Sequence, residues 1–154
     1  MIYLKPINEL SEKETLDLVE ILNNDIKLQK SLERDPEKIS SDQFISHNEE
    51  WRKKNNAKMF GIILDDAAIG MISLSHINNQ DKKAKIGYWI TSKYWSQGHA
   101  SDAFKQTLNI AKETGIKFIS CSIPKDNKAS KKIWEKFGAS FEEKDDKIMP
   151  LINL

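Results

Sequence analysis

The chain is poor in the residues that carry metal and disulfide chemistry. Among its 154 residues are one cysteine, Cys121, and three histidines, His47, His76 and His99. A single cysteine excludes an internal disulfide and fits a reducing compartment. The histidines are scattered without the spacing of metal ligands, so we expect no bound metal.

Strong charge of one sign and long apolar runs are also missing. The formal net charge is +1, so no overall field attracts nucleic acid or an anionic membrane. No apolar run approaches the roughly 20 residues that cross a bilayer. The first ten residues, MIYLKPINEL, lack the pattern of a signal peptide. We therefore expect a cytoplasmic protein that binds neither nucleic acid nor membrane.

What the chain does contain is typical of one globular domain covering residues 1–154. Its composition is 39% hydrophobic and 31% charged, and no repeat or low-complexity linker divides it.

The first elements can be predicted from local patterns. A short strand is predicted from Ile2 to Leu4, ended by Pro6. Ser11 and Glu14 have capping-box spacing before a helix. On one face of that helix recur Leu18, Val19, Leu22 and Ile26.

Further along, alternating patterns predict a mixed sheet. Ser41 is expected to cap a second helix, and the polar segment 27–40 is expected to be partly irregular. Strands are predicted at 58–64, 67–77, 84–91, 117–123, 140–144 and 147–154, and further helices at 100–115 and 127–138. Gly87, inside a strand, indicates a bulge or a close backbone approach. The fold class is therefore α/β, with a mixed sheet, helices on both faces, and a right-handed crossover between parallel strands.

The hexapeptide WSQGHA, residues 95–100, lies between a predicted strand and a predicted helix. The N-terminus of a helix carries unpaired N–H groups and a partial positive charge, which suit phosphate oxygens. Gly98 and Ala100 would let a ligand approach the backbone closely. The turn matches neither a Walker loop nor a dinucleotide fingerprint. An ordinary strand-to-helix turn, with Gly98 at positive φ, is the alternative.

Two longer stretches, IGYWITSKYWSQGHASDAF and SIPKDNKASKKIWEKFGAS, resemble the GNAT superfamily of acetyl-CoA-dependent N-acetyltransferases. The resemblance is best to the branch of the ribosomal-protein N-terminal acetyltransferases and covers roughly residues 57 to 144. Trp95, Gly98 and Ala100 occupy the three places of the family's pyrophosphate motif. Ser96 stands where the branch usually has glycine, and His99 where it usually has tyrosine. A GNAT-like fold follows as an expectation, mostly antiparallel with one splayed parallel strand pair.

The resemblance implies that acetyl-CoA is the cosubstrate and indicates which residues bind it. The pantetheine arm would lie along the strand before the turn, with main-chain contacts at Tyr88, Ile90 and Thr91. Asn127 and Ser130 match the family's Asn-x-x-Ser at the head of the next helix, near the same arm. The implied cofactor-binding residues are Ile90, Thr91, Ser96, Gln97, Gly98, His99, Ala100, Ser101, Asn127 and Ser130.

The implied catalytic groups are a backbone N–H near Tyr88, which would hold the acetyl oxygen, and the Ser130 hydroxyl, which would hydrogen-bond the leaving sulfur. Many relatives have a tyrosine that protonates the thiolate at the place of Trp134. Many also have a glutamate base at the place of Lys85. Cys121 is expected to be an inert core thiol.

Three residues stay open as the general base, His76, Glu142 and Glu143, each acting directly or through water. The aromatic cluster Tyr88, Trp89, Tyr94 and Trp95 is expected to pack the core beside the turn.

The predicted activity is acetyl transfer to a primary amine in a ternary complex. The acceptor is left open among a peptide N-terminus, an amino acid, a polyamine and an aminoglycoside, and a homodimer is compatible. The alternative is a CoA-binding sensor without turnover.

Overall fold

The computed structural model describes residues 1–34 and 37–154, and it contains one eight-stranded sheet flanked by five α-helices. The strand order is β1-β2-β3-β4-β5-β8-β6, and β7 pairs with the other edge of β8. The strands are β1 (Ile2–Pro6), β2 (Lys58–Leu64), β3 (Ala67–Asn78), β4 (Lys83–Ile90), β5 (Phe118–Ser120), β6 (Ile123–Pro124), β7 (Ser140–Lys144) and β8 (Lys147–Asn153). The helices are α1 (Glu12–Asn24), α2 (Ile26–Ser31), α3 (Ser41–Lys54), α4 (His99–Glu113) and α5 (Lys128–Lys136).

The predicted fold class is confirmed. Each described strand pair is antiparallel except β4 with β5, which are parallel and joined by the crossover helix α4. That parallel pairing ends at Lys85 and Ser120, although β4 continues to Ile90. The two strands therefore separate halfway along β4, which is the expected splay.

Two layers of apolar side chains hold helices on opposite faces of the sheet. On one face, α4 and α5 bury Phe104, Leu108 and Trp134 against residues such as Ile72 and Ile119. Phe104 contacts Trp134 edge-to-face, with ring centroids 4.9 Å apart. On the other face, α1, α2 and α3 pack on β2 and β3 through Leu18, Val19, Leu22, Leu28, Phe44, Met59, Ile63 and Met71.

The start of the chain follows the prediction with two corrections. The capping box of Ser11 and Glu14 is confirmed, with both reciprocal hydrogen bonds present. Ile26 does not belong to the face of α1, because α1 ends at Asn24; Ile26 begins α2 and is 65% exposed. The cap of α3 is Ser40 and not Ser41, because the Ser40 hydroxyl accepts the Gln43 N–H. The prediction for 27–40 lies partly outside the described residues.

Two strand predictions also change. The strand expected at 117–123 is interrupted at residues 121 and 122. The register of β8 places Pro150, which has no N–H to donate, opposite Cys121 at this interruption. Gly87 marks no bulge, since it pairs regularly with Ser73. The irregularity of this ladder lies in β3 between Ser75 and Asn78.

Candidate functional site

The gap between β4 and β5 exposes backbone groups of β4. The Thr91 N–H donates to the Ile69 carbonyl at 2.9 Å, in line with the β3–β4 register. Facing residues in an antiparallel ladder alternate between hydrogen-bonded and non-hydrogen-bonded pairs. Ile90 and Tyr88 are therefore non-hydrogen-bonded positions, and their N–H groups point away from β3. Because β5 has already left β4, these N–H groups point into the gap.

The loop that follows β4 closes one end of this gap. The Trp95 indole Nε1–H donates to the Ile90 carbonyl at 2.8 Å, which fixes the ring across the mouth of the gap. Trp95 remains 42% exposed, so it is not packed into the core as the predicted aromatic cluster required. Both backbone groups of Thr91 are engaged, its N–H by Ile69 and its carbonyl by Tyr94. A cofactor contact at Thr91 would have to replace one of these bonds.

Helix α4 begins without a capping side chain. Its N-cap is Gly98, with φ 84° and ψ 0°, and no side chain caps the N–H groups of its first turn. The other four α-helices each have a side-chain cap, from Ser11, Asp25, Ser40 and Asn127. The first N–H of α4 bonded to a helical carbonyl belongs to Asp102, which donates to Gly98 at 3.0 Å. The N–H groups of residues 99–101 precede it and need an acceptor from outside the helix.

A cleft of about 310 Å³ opens at this uncapped terminus. Its lining includes two lysines, Lys105 and Lys136, and one carboxylate, Asp102. The Lys136 ammonium donates to the Ser101 hydroxyl at 2.9 Å. A Cβ placed on Gly98 would meet nothing within 4 Å, so the space above this glycine is open. The cleft thus combines free helical N–H groups with a small excess of positive charge, which suits a phosphate.

Three other loop residues predicted to bind the cofactor have local roles. Ser96 adopts φ 62°, a left-handed conformation that explains why glycine is usual at its place in the branch. The Gln97 amide donates to the Lys93 carbonyl at 3.2 Å. The His99 ring meets Tyr94 edge-on, with centroids 5.7 Å apart. Their predicted contacts with a phosphate stay predictions.

Helix α5 brings a hydroxyl to the other side of the gap. The Asn127 side chain caps α5 by accepting the Ser130 N–H at 3.1 Å, and Ser130 is 7% exposed. Burial raises the pKa of the Tyr88 phenol, and the nearby Ser130 hydroxyl partly offsets that rise. Sequence reasoning assigned only the backbone of Tyr88 to the site. The structure adds its side chain, which alternation along β4 directs toward Ser130.

Cys121 lies close to the same phenol, at the interruption between β5 and β6. Its thiol is half-buried, and burial raises its pKa, so the reactive thiolate is scarce. The predicted inert thiol agrees with this environment, although the residue lies at the edge of the core. Lys85 and Lys147 are near enough to Cys121 to act in the opposite direction on that pKa.

Asp25, which the sequence did not single out, ties the first two helices to the end of β4. Its carboxylate accepts hydrogen bonds from the Ser92 N–H at 2.7 Å, the Ser92 hydroxyl at 2.7 Å and the Thr91 hydroxyl at 2.9 Å. Burial acts to raise the pKa of Asp25, but these bonds and one from the Leu28 N–H outweigh it, so the pKa is lowered. The only sequence signal was an aspartate preceding a helical turn, which predicts a cap and nothing more.

The structure does not bring the candidate bases together at the gap. Tyr88 pairs with Ile72 on β3, and His76 lies four residues further along that strand. The distance from Ile72 to His76 along β3 is about 13 Å. Glu142 and Glu143 are exposed on β7, and Glu143 lies 3.6 Å from Lys125. Lys85 lies at the last β4–β5 pair and is exposed. Within residues 1–34 and 37–154, no group of three or more His, Cys, Asp or Glu side chains could hold a metal ion.

This combination of splayed strands and uncapped crossover helix defines a class of acyl-transfer domain, and comparison with known proteins agrees with it. Residues 3–140 match the family model described as an acetyltransferase (GNAT) domain. The chain belongs to the GNAT acetyltransferase family.

Among its relatives, the chain is 32% identical over 83 residues to the ribosomal-protein-serine acetyltransferase of Escherichia coli (strain K12). That match covers 47% of this chain and 46% of the relative, so the similarity spans about half the relative's length. An acetyltransferase from Salmonella typhimurium that modifies the N-terminal serine of the 50S subunit protein L7/L12 has a similar structure. Its TM-score is 0.77 at 21% identity, covering 99% of this chain and 95% of the other.

A third similar structure is the microcin C7 self-immunity acetyltransferase MccE in complex with acetyl-CoA and AMP. Its TM-score is 0.75 at 19% identity, covering 99% of this chain and 92% of the other. At these identities the two structures establish the shared fold. No helix in the described part of the chain is long and apolar enough to span a membrane.

Proposed function

We propose that this protein is an N-acetyltransferase that moves the acetyl group of acetyl-CoA to a primary amine within a ternary complex. The observation that carries the proposal is the meeting, at one end of the sheet, of the β4–β5 gap and the uncapped N-terminus of α4. A ligand with an amide-rich arm and a pyrophosphate needs both features side by side. Family membership and the acetyl-CoA complex of MccE support the same cosubstrate.

In this proposal the chain binds acetyl-CoA mainly through its backbone. The N–H groups at the start of α4, around Gly98 and Ala100, donate to the pyrophosphate, and the open space above Gly98 allows close approach. The free N–H of Ile90 hydrogen-bonds the pantetheine arm, which fills the gap as an added strand would. Lys105 and Lys136 supply the positive charge that offsets the phosphates and Asp102.

Two groups of the chain then act on the thioester. The Tyr88 N–H, fixed by the strand and pointing into the gap, stabilises the negative charge that develops on the acetyl oxygen. One such preorganised donor lowers a barrier by about 3 kcal/mol. The Ser130 hydroxyl, backed by the Tyr88 phenol, hydrogen-bonds the departing sulfur. Attack by the neutral amine forms the new C–N bond as the C–S bond breaks. The proton that the amine loses passes through solvent to the departing thiolate.

The acceptor amine must be neutral to attack. A lysine-type amine, with a pKa near 10.4, is neutral in roughly one molecule in a thousand at neutral pH, whereas an α-amine, near 8, is neutral in about one in ten. The described residues place no carboxylate beside Tyr88. Lys85, at the edge of the gap, takes the position from which a base could deprotonate the amine. This arrangement favours an acceptor that needs little deprotonation, so we propose an α-amine.

Two measurements test the proposal. Acetyl-CoA at 100 times its dissociation constant should stabilise the protein by about 2.7 kcal/mol. A screen of peptides, amino acids, polyamines and aminoglycosides should then find amines that release free CoA. Stabilisation without release from any amine would favour the sensor over the enzyme. No stabilisation would refute both. We further propose that residues 1–154 act as one catalytic unit and that this unit works in the cytoplasm. The family match along residues 3–140 supports the single unit.

A further inference from the structure

One face of the sheet is left uncovered beside the gap. Helices α4 and α5 cover one side of β4, β5 and β8. On the other side, α1, α2 and α3 cover β2, β3 and, through Trp89, the end of β4. Side chains on neighbouring strands that are in register project to the same side of a sheet. Four exposed lysines and three apolar side chains form this uncovered surface, which we call the lysine face: Lys83, Lys85, Lys144, Lys147, Phe118, Met149 and Leu151.

The lysine face is cationic and partly apolar. Phe118, Met149 and Leu151 are each 37–39% exposed, a large fraction for apolar side chains. Among the strand residues that the structure places on this face, Glu142, which is paired with Met149, is the one carboxylate. The strand residues thus carry four positive charges against one negative charge, and the exposed Asp145 and Asp146 lie in the turn at the far end of the face. The lysines nearest the gap suit an anionic occupant and oppose a second copy of the same face.

The lysine face is continuous with the proposed reaction centre. Lys85 and Ser120 form the last β4–β5 pair, so the gap begins where the face ends. The next residue of β4 on this side is Gly87, which is exposed and has no side chain. A Cβ on Gly87 would meet one atom within 4 Å, the Ser73 hydroxyl oxygen at 3.9 Å. Ser130, α4 and α5 occupy the other side of the gap, so the side over Gly87 is the open approach to Tyr88.

The size of the lysine face indicates how long the acceptor is. From Lys85 to Lys147 the path crosses two strand spacings and four residues of β8, a separation of about 16 Å. A single amino acid covers about 3.3 Å, so an occupant that contacts both lysines needs about five residues in extended form. Nearby lysines also lower the pKa of an approaching amine, because like charge disfavours the protonated form.

We propose that the acceptor is the N-terminus of an acidic peptide, whose α-amine enters over Gly87 and whose carboxylates lie on the lysine face. This inference rests on the proposed acetyltransferase function and adds the class of acceptor. Polyamines and aminoglycosides would meet repulsion from Lys85 at the entrance and from Lys147 further along the face. A peptide with carboxylates at its second to fifth residues would meet attraction along the whole path.

The test uses three six-residue peptide amides with the same N-terminal serine, followed by acidic, neutral-polar or basic residues, with spermidine as a fourth acceptor. CoA release gives kcat/KM for each, and fluorescence anisotropy of labelled peptides gives their affinity for the protein saturated with CoA. Two variants reverse a charge on the face, Lys83→Glu and Lys147→Glu; Lys85 is left unchanged because a glutamate there could act as a general base. The matched control, Lys58→Glu, makes the same charge change at an exposed position on the opposite side of the sheet.

Both kcat/KM and affinity should be at least tenfold higher for the acidic peptide than for the basic peptide. Each variant of the face should reduce that ratio several-fold, and Lys58→Glu should leave it unchanged. Equal or better use of the basic peptide or spermidine would refute the acceptor class and leave the acetyltransferase intact. If the acidic peptide binds through these lysines but no CoA is released, the acetyltransferase function is refuted and the peptide-binding role of the lysine face stands. Tighter binding of a single-stranded RNA by the same lysines would overturn the peptide assignment.

Discussion

Replacing Gly98 by valine tests the pyrophosphate assignment most directly. At φ 84° and ψ 0°, Gly98 has a backbone conformation that costs an L-residue roughly 1–2 kcal/mol. No atom lies within 4 Å of the place that a Cβ would take there, so the new side chain points into open space. For a chain of this size each kcal/mol moves Tm by about 2–4 °C, so Gly98→Val should lower Tm by roughly 2–8 °C. Its effect on acetyl-CoA should be larger, because the side chain fills the space of the pyrophosphate.

The control for Gly98→Val is Gly115→Val, at the other end of α4. Gly115 has φ 89° and also has nothing within 4 Å, so both variants should lose similar stability. Calorimetry should show acetyl-CoA affinity falling at least tenfold, about 1.4 kcal/mol, for Gly98→Val alone. If the two variants bind acetyl-CoA equally well, the pyrophosphate does not lie on this terminus. If both lose binding, the loss comes from destabilisation and the assignment again fails.

Three further changes probe the rest of the site. Ser130→Ala should lower kcat by roughly tenfold to a hundredfold with little change in acetyl-CoA affinity, because its bond to the sulfur strengthens in the transition state; unchanged kcat would remove Ser130 from the mechanism. Gly87→Leu should lower kcat/KM for the amine at least tenfold while acetyl-CoA affinity stays the same, and equal use of the amine would mean that the acceptor enters elsewhere. Asp25→Asn should cost roughly 1–2 kcal/mol of unfolding free energy at neutral pH. Since the folded pKa of Asp25 lies below its unfolded value, this stabilisation is complete above the unfolded pKa and is lost as the pH falls through the folded pKa, so urea titrations of both proteins should converge in acid.

The sequence was sufficient wherever local chemistry decides the structure. The capping box at Ser11, the helix ending before Gly115 and the two hairpins turning at Asp65 and Asp145 depend on neighbouring residues alone. Both turn aspartates have positive φ, a conformation that aspartate tolerates better than most residues. Pattern reasoning works at such positions because the partners are a few residues apart.

Predictions failed where a distant partner decides the structure. The interruption at Cys121 coincides with Pro150, which is 29 residues further along the chain and shares no local pattern with it. The three bonds of Asp25 to Thr91 and Ser92 join residues separated by more than 60 positions. The Tyr88 phenol could not be placed beside Ser130 until the crossover through α4 was known. Each case needs the register of the sheet, which one sequence does not supply.

The two sides of β4 divide the proposed reaction between them. Even-numbered residues, including Tyr88, face α4 and α5, where the proposed contacts are with the cosubstrate and the leaving sulfur. Odd-numbered residues, including Lys85 and Gly87, face the open side, where the proposed contacts are with the acceptor. Asp25 links α1 and α2 to the end of β4, so the acceptor side and the cofactor loop are held by one carboxylate. Substitutions on the odd-numbered side should therefore change which amine is used, whereas substitutions on the even-numbered side should change turnover with every amine.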